Sequence, residues 1–188
     1  MIRRHTHAAN SGWIALTGTP GTGKSSVARA LGRRWPSLEV SDLARSVGAA
    51  RGSGRAVTVD LERLRAQMPT RPARPTVLVG HLAHLLPVGR VLLLRCHPLE
   101  LSRRLSRRRS LSPRARRENL VSEAIDLIRW EVAAEGKSAL EVDTTGRAPA
   151  SVARECSRLL GGTAPCAPPR VDWLADPRVT EELLRGFR

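Results

Sequence analysis

The residues with the clearest chemistry lie in one short segment, Gly18-Thr19-Pro20-Gly21-Thr22-Gly23-Lys24-Ser25. The segment matches the pattern G-x-x-x-x-G-K-[ST] at every fixed position. Glycines allow such a loop to turn its backbone N–H groups inward, and a helix that follows adds the positive end of its dipole. Fixed donors of this kind hold a polyphosphate, so the segment predicts a phosphate-binding loop.

Side chains at the end of the loop extend this prediction from binding to phosphoryl transfer. Lys24 is expected to bridge the β- and γ-phosphates of ATP and to follow the charge as it moves. The Ser25 hydroxyl is the expected ligand of Mg²⁺. We therefore predict ATP and Mg²⁺ as cofactors. The predicted ATP-binding residues of the loop are Gly21, Thr22, Gly23, Lys24, Ser25 and Ser26.

A phosphate-binding loop needs a strand before it and a helix after it, and the apolar pattern predicts both. Along the chain, short apolar runs alternate with helical patterns, which is typical of an α/β fold with a parallel sheet. This context argues against a chance glycine-rich turn. Strands are predicted at residues 13–17, 38–40, 76–79, 91–95 and 139–142. Helices are predicted at residues 24–34, 60–67, 98–108, 113–135 and 151–160, the fourth with Ser112 as its N-cap.

The chain of 188 residues is long enough for one domain with a hydrophobic core. We predict a single domain over residues 1–160, a proline-rich linker at 161–170 and a tail at 171–188 whose short helix docks on the domain. No apolar run approaches the length of a membrane span, and the first ten residues do not resemble a signal peptide. These features predict a cytoplasmic protein with no membrane partner.

Positive charge dominates the composition. Arginine and lysine outnumber the acidic residues 32 to 17, and only Lys24 and Lys137 are lysines. This surplus favours polyanionic partners, either nucleotides or RNA. With one phenylalanine and no tyrosine, the chain lacks the aromatic surface of an RRM-type RNA platform.

The three cysteines, Cys96, Cys156 and Cys166, form no C-x-x-C pair, which argues against a zinc site or a disulfide framework.

A phosphate-binding loop alone does not distinguish a kinase from a GTPase or a motor. The chain has no N-K-x-D segment of the kind that reads the base in GTPases. It is also too short for a helicase or a transporter ATPase. A small nucleoside monophosphate kinase remains.

Several further strings give the chain a family resemblance. In order and spacing it is similar, over roughly residues 13–160, to the archaeal and nuclear adenylate kinase family known as isoenzyme 6. The most discriminating string is Gly80-His81-Leu82-Ala83-His84-Leu85-Leu86-Pro87. The other similar strings are residues 18–26, 38–44, 94–98, Glu118-Asn119 with Glu123, residues 142–146 and, in the tail, residues 171–174.

The resemblance implies a P-loop fold of the nucleoside monophosphate kinase type, with a five-stranded parallel sheet flanked by helices and a short lid. It implies a monophosphate-binding segment at residues 38–64, with Ser41 and Asp42 near its start. It also implies a lid at residues 108–118, with Arg109 on the ATP phosphates. His81 would face the phosphates from the end of the third strand. The implied reaction transfers the γ-phosphoryl group of ATP to AMP or another nucleoside monophosphate.

The family is also tied to maturation of the small ribosomal subunit. The resemblance therefore implies an additional role as an assembly ATPase, with a small-subunit ribosomal protein and rRNA as partners. This leads to a second hypothesis of another class. In it, ATP switches a ribosome-assembly or RNA-associated factor that has little kinase turnover.

Some of these residues have simpler explanations. Eight arginines lie between residues 103 and 117, and most of them could form solvated helix faces or an RNA patch; Arg109 is the best candidate for a phosphate contact. His81 and His84 could both be structural polar groups. Asp42 could bind the acceptor nucleotide or cap a helix. Asp143 could orient the implied base-binding loop at residues 144–146, or could simply end a strand.

The chain departs from the family at a position where chemistry depends on an acid. The residue two before His81 is usually Asp or Glu in the family and is Val79 here, which can neither support Mg²⁺ nor polarise water. Asp42 could substitute through a water molecule. The lid has Ser110-Leu111 in place of the usual Gly-Tyr, and Ala115 where lysine is common. These changes predict a slower enzyme or a nucleotide-dependent binding factor.

Overall fold

The computed structural model describes residues 12–52, 57–108, 111–162 and 171–185. Its strands are β1 (Trp13–Thr17), β2 (Ser37–Glu39), β3 (Ala50–Arg51), β4 (Thr58–Val59), β5 (Thr76–Val79), β6 (Arg90–Arg95) and β7 (Ala139–Asp143). Its α-helices are α1 (Lys24–Leu31), α2 (Val40–Ser46), α3 (Leu61–Gln67), α4 (Pro98–Ser106), α5 (Pro113–Ala124), α6 (Leu127–Ala134), α7 (Pro149–Leu160) and α8 (Pro177–Leu184). Short 3₁₀ helices lie at Gly32–Arg34, Ala83–Leu85 and Trp173–Ala175.

Five of the strands form one parallel sheet in the order β2-β5-β1-β6-β7. The central strand β1 pairs with β5 on one side and with β6 on the other. Because parallel strands need crossover connections, the chain between successive strands of this sheet carries helices or a 3₁₀ turn. The five predicted strands are confirmed, each end to within one residue, and with them the predicted α/β fold class.

Alternate residues of the central strand face two separate cores. Trp13 and Ala15 pack with residues of α2, α3 and α6, whereas Ile14 and Leu16 pack with residues of α1 and α7. Side chains alternate between the faces of a strand, so a strand covered on both faces has a continuous apolar sequence. Every residue of β1 is buried, which gives the loop that follows it a rigid base.

The single helix predicted over residues 113–135 is wrong, because the chain forms two helices, α5 and α6, around Asp126. This residue has a φ of 59°, which lies outside the right-handed helical region. Aspartate tolerates the left-handed region better than most residues do. Its carboxylate pairs with the buried guanidinium of Arg95, so a tertiary ion pair outweighs the helical pattern. The predicted N-cap is confirmed, since Ser112 Oγ accepts a hydrogen bond from the Ala115 N–H at 3.2 Å.

Two further features complete the fold. β3 and β4 form a two-residue antiparallel ladder, too short to show an alternating pattern in the sequence. In the tail, Trp173 is buried and α8 packs on α4 and α5.

Residues 163–170 of the predicted linker lie outside the described residues, and the domain boundaries stay predictions. Within the four described ranges, no helix is long and apolar enough to cross a membrane.

Candidate nucleotide-binding site

The predicted phosphate-binding loop connects β1 to α1 at the carboxyl edge of the sheet. Gly18 has a φ of 142°, and a Cβ at this position would lie 2.4 Å from the carbonyl oxygen of Leu94. Gly21 has a φ of 103°, and a Cβ there would lie 2.7 Å from Cδ1 of Leu101. Both distances are too short for a side chain. The glycines are therefore required for the loop to pack tightly on β6 and α4.

Lys24 turns back towards the inside of the loop. Its Nζ donates hydrogen bonds to the carbonyl oxygen of Gly18 at 2.6 Å and to that of Thr19 at 3.1 Å. Desolvation lowers the pKa of Lys24 to about 8; the Glu123 carboxylate opposes this shift and the Arg108 guanidinium adds to it. An ammonium group in this position would contact the phosphate oxygens of a nucleotide bound by the loop.

A buried carboxylate holds the loop from below. Glu123 is 3% exposed, and its Oε2 accepts a hydrogen bond from Thr19 Oγ1 at 2.6 Å. Its Oε1 accepts from Arg95 Nε at 2.9 Å, from the Cys96 N–H at 3.0 Å and from Trp173 Nε1 at 3.2 Å. A buried charge needs partners of this kind to offset its desolvation. The loop is therefore tied to β6, α5 and the tail.

Arg95 is the cationic centre of this buried group. It is 2% exposed and pairs with Glu123 at 2.9 Å, with Glu141 at 3.2 Å and with Asp126. From the sequence, Arg95 and Glu123 appear only in strings that resemble the adenylate kinase family. Their buried ion pair was not predicted. The available signal was an arginine at the end of an apolar run, because a cation buried in a sheet must find acidic partners.

The hydroxyl of Ser25 lies on the open side of the loop. Its Oγ donates to Oε1 of Glu39 at 3.0 Å, and the pair is accessible to solvent. Glu39 ends β2 and lies opposite Val79 of β5 in the sheet register. Sequence reasoning missed Glu39, because a single acid at a strand end has no motif around it. Among the described residues no group of three His, Cys, Asp or Glu side chains could hold a metal, so a cation here would depend on these two oxygens and on phosphate.

His81 and His84, the two histidines of the string at residues 80–87, have different surroundings. His81 follows β5 on the exposed side of the turn, and desolvation and the nearby Lys24 charge lower its pKa. His84 is fully buried, with Nδ1 3.0 Å from Thr17 Oγ1 and Nε2 3.1 Å from Oε2 of Glu131. Desolvation lowers the pKa of His84 to about 4. His84 is therefore a neutral structural group, whereas His81 stays a candidate for a phosphate contact.

A cavity of about 370 Å³ opens beside the loop, within the usual size range of small-ligand sites. The loop forms one wall, arginines in and just after α4 form another, and the turn after β7 forms the third. That turn is held by Asp143, whose Oδ1 accepts from the N–H of Thr145 at 2.8 Å and from its hydroxyl at 2.6 Å. Of the two explanations for Asp143, orientation of this turn is the one the contacts support. Residues lining the cavity include Ser26, Arg104, Arg107, Arg108, Thr144 and Arg147.

The arginine-rich segment divides into two groups. Arg103 pairs with Glu100, and Arg114 pairs with Glu118, each on its own helix. Arg104 also pairs with Glu100, and it donates to the carbonyl oxygen of Thr144 at 2.9 Å beside the cavity. The side chains of Arg107 and Arg108 line the cavity, are exposed, and have no ion-pair partner in the described part of the chain. Arg109 lies outside the described residues, so its contact with the ATP phosphates stays a prediction.

Ser41 and Asp42 lie in the first turn of α2. The Asp42 carboxylate pairs with Arg45 at 2.7 Å, and 55% of its side chain is exposed. It does not cap α2, because Glu39 occupies the N-cap position. The contact of Ser41 and Asp42 with a nucleoside monophosphate stays a prediction.

Comparisons with known proteins agree with this geometry. The sequence matches the AAA domain family over residues 14–126. Two archaeal proteins named "putative adenylate kinase" are similar to most of the chain. The one from Thermococcus onnurineus is 34% identical over 177 residues, which cover 92% of this chain and 98% of the relative. The one from Pyrococcus furiosus is 35% identical over 179 residues, which cover 93% and 97%.

Among solved structures, shikimate kinase from Acinetobacter baumannii aligns with a TM-score of 0.52 at 19% identity, over 82% of this chain and 95% of that one. This likeness shows the fold alone, which is that of P-loop kinases. The sequence similarity extends further, because it covers 92% and 93% of this chain at 34% and 35% identity. The chain therefore belongs to the adenylate kinase family of these archaeal proteins, within the broader AAA domain family.

Proposed function

We propose that the protein is a Mg²⁺-dependent nucleoside monophosphate kinase that transfers the γ-phosphoryl group of ATP to AMP. The observation that carries this proposal is the position of the Lys24 ammonium inside a rigid loop, next to a cavity with exposed arginines. Phosphoryl transfer depends mainly on positioning and on stabilisation of charge, which such a site supplies. The names of the archaeal relatives support the choice of an adenylate substrate.

Each part of the site has a distinct task in this proposal. The loop N–H groups and Lys24 bind the β- and γ-phosphates, and Lys24 stays with the charge as it moves to the transferred group. Arg107 and Arg108 close over the phosphates from the cavity side and exclude water, with Arg109 as the third member of this group. The base of ATP occupies the cavity against the turn that Asp143 holds.

The donor set at the open side of the loop fits Mg²⁺. Magnesium takes hard oxygen ligands and is commonly held by few protein groups together with substrate phosphates. Ser25 and Glu39 provide a hydroxyl and a carboxylate oxygen within hydrogen-bond distance of each other. When bound, the ion neutralises charge on the polyphosphate. On the acceptor side, Ser41 and Asp42 bind the monophosphate, and His81 contacts the transferring group.

A second function is favoured by the charge of the chain. The formal net charge is +15, and the described arginines beside the loop include exposed side chains without acidic partners. In this alternative, ATP switches an assembly factor that binds a small-subunit ribosomal protein and rRNA, and AMP is not required. Such binding would weaken steeply with salt, because it releases counterions from RNA.

A coupled assay with ATP and each nucleoside monophosphate tests the first proposal. Turnover that requires AMP supports the kinase, whereas ATP hydrolysis that is independent of AMP supports the assembly factor. Lys24→Ala should abolish either activity, because it removes the ammonium inside the loop. Arg33→Ala, which removes an exposed charge in the 3₁₀ turn after α1, is the control and should keep it. Retained turnover in Lys24→Ala would refute the site.

A further inference from the structure

We propose that Glu39 supplies the carboxylate that supports the divalent cation, at the sheet edge where its partner on β5 is the apolar Val79. This inference rests on the proposed function, since it concerns the cation that accompanies ATP at the same loop. Glu39 belongs to no sequence motif, and its relation to Ser25 depends on the pairing of β2 with β5. We also predict that Val79 does not abolish metal dependence.

The sheet register places Glu39 at the equivalent edge position. Glu39 of β2 and Val79 of β5 are partners in a parallel ladder, so both lie at the carboxyl end of their strands. Adjacent strands are about 4.8 Å apart, and paired residues in a parallel sheet point to the same face. The Glu39 carboxylate therefore lies about one strand away from the Val79 position and at the same edge of the sheet.

The contacts of Glu39 direct its carboxylate to the loop. Oε1 accepts the Ser25 hydroxyl hydrogen bond at 3.0 Å, and this hydroxyl is the expected metal ligand. Although Glu39 is the N-cap residue of α2, its side chain makes no capping hydrogen bond. Its second carboxylate oxygen has no partner within the ranges that the structure describes.

Other nearby acids are already engaged. The Asp42 carboxylate is paired with Arg45, and Glu123 is buried among four donors below the loop. Glu39 is instead half-buried, and its hydrogen bond with the exposed Ser25 is accessible to solvent. A hydroxyl and a carboxylate that share one hydrogen bond form a pair of oxygen donors which a hard cation can use.

Binding measurements separate this inference from the proposed function. We would measure the affinity of the protein for a non-hydrolysable ATP analogue by calorimetry, with EDTA and with Mg²⁺. We would also follow Mn²⁺ binding to the protein–analogue complex by electron paramagnetic resonance. Glu39→Gln keeps the size of the side chain and an oxygen for Ser25, but removes the charge. Glu181→Gln, an exposed acid on α8 that pairs with Arg185, is the matched control.

In Glu39→Gln, Mn²⁺ affinity in the complex should fall by about 10- to 100-fold, the usual effect of losing a supporting group at a metal site. Analogue binding with EDTA should be unchanged or slightly tighter, because a negative charge near the phosphates is gone. That result also shows that the variant is folded. Glu181→Gln should match the unmodified protein in both measurements.

Two results from single variants would overturn the inference. One is Mn²⁺ affinity in Glu39→Gln equal to that of the unmodified protein. The other is loss of Mn²⁺ affinity in Asp42→Asn with none in Glu39→Gln, which would assign the role to Asp42. By contrast, absence of analogue binding to the unmodified protein under both conditions would refute the proposed function itself. As a positive test, Glu39→Gln/Val79→Asp should recover Mn²⁺ affinity; a double variant that binds the metal-free analogue normally but stays weak for Mn²⁺ would count against the inference.

Discussion

ATP binding should take up a proton above neutral pH, because Lys24 has a lowered pKa. Desolvation lowers it from 10.5 to about 8 in the protein without nucleotide. Lys24 is then neutral in about half of the molecules at pH 8 and in about nine-tenths of them at pH 9. The phosphates of ATP favour the charged form, since an opposite charge within a few ångströms raises the pKa of a lysine.

The size of the effect follows from these fractions. If ATP keeps Lys24 fully charged, binding should take up about 0.1 proton at pH 7, about 0.5 at pH 8 and about 0.9 at pH 9. The affinity should fall about tenfold from pH 7 to pH 9, which corresponds to about 1.4 kcal/mol. Calorimetry in buffers with different ionisation enthalpies measures the proton number. Above pH 7.5 the terminal phosphate of ATP adds little, because its last proton is already lost.

The two lysines of the chain allow an independent measurement. Protein labelled with ¹³C at the lysine ε-carbon should give two signals, from Lys24 and Lys137. Lys137→Arg assigns them, which is necessary because desolvation also lowers the pKa of Lys137. Lys24→Arg should bind ATP without proton uptake, since a guanidinium stays charged throughout this range. A Lys24 midpoint near 10.5, or no proton uptake at pH 9, would refute the placement of the ammonium inside the loop.

Two further predictions concern stability. Gly21→Ala should destabilise the fold by about 2–4 kcal/mol in urea unfolding, because its Cβ adds a close contact with Leu101 to an unfavourable φ. Gly146→Ala has a positive φ but nothing within 4 Å, so it should cost only about 1 kcal/mol, and an equal loss in both variants would contradict the contact. Stability should also fall between pH 6.5 and pH 4, where unfolded His84 binds a proton and buried His84, with a pKa of about 4, does not. The loss in the free energy of unfolding reaches about 3 kcal/mol at pH 4. This loss should be missing in His84→Gln. An identical pH dependence in the two proteins would exclude His84 as its cause.

Local sequence determines the strand and the helix that flank the predicted phosphate-binding loop, and both were predicted correctly. The phosphate-binding loop needs a buried strand, fixed glycines and a helix start, and all three lie within residues 13–31. Hydrophobic runs at β5, β6 and β7 likewise predict strands, because burial on both faces leaves no polar position in the pattern. The predicted sheet is therefore confirmed.

Contacts between distant residues determine the rest. The break at Asp126 depends on Arg95, which lies in another element, and nothing in the helical pattern of residues 113–135 indicates it. Glu39 becomes relevant only when β2 pairs with β5 and brings its carboxylate to Ser25. His84 is found to be structural only because Thr17 and Glu131 approach its two ring nitrogens. A single sequence does not give these distances.

The carboxylate of Glu123 joins the phosphate-binding loop to the tail. Thr19 of the loop and Trp173 of the tail donate to the same group, so their local order is linked through one side chain. Linkage of this kind is reciprocal. If ligand binding at the loop strengthens docking of the tail, docking of the tail strengthens ligand binding by the same free energy. The fluorescence of the Trp173 indole should therefore change when a ligand binds to the phosphate-binding loop.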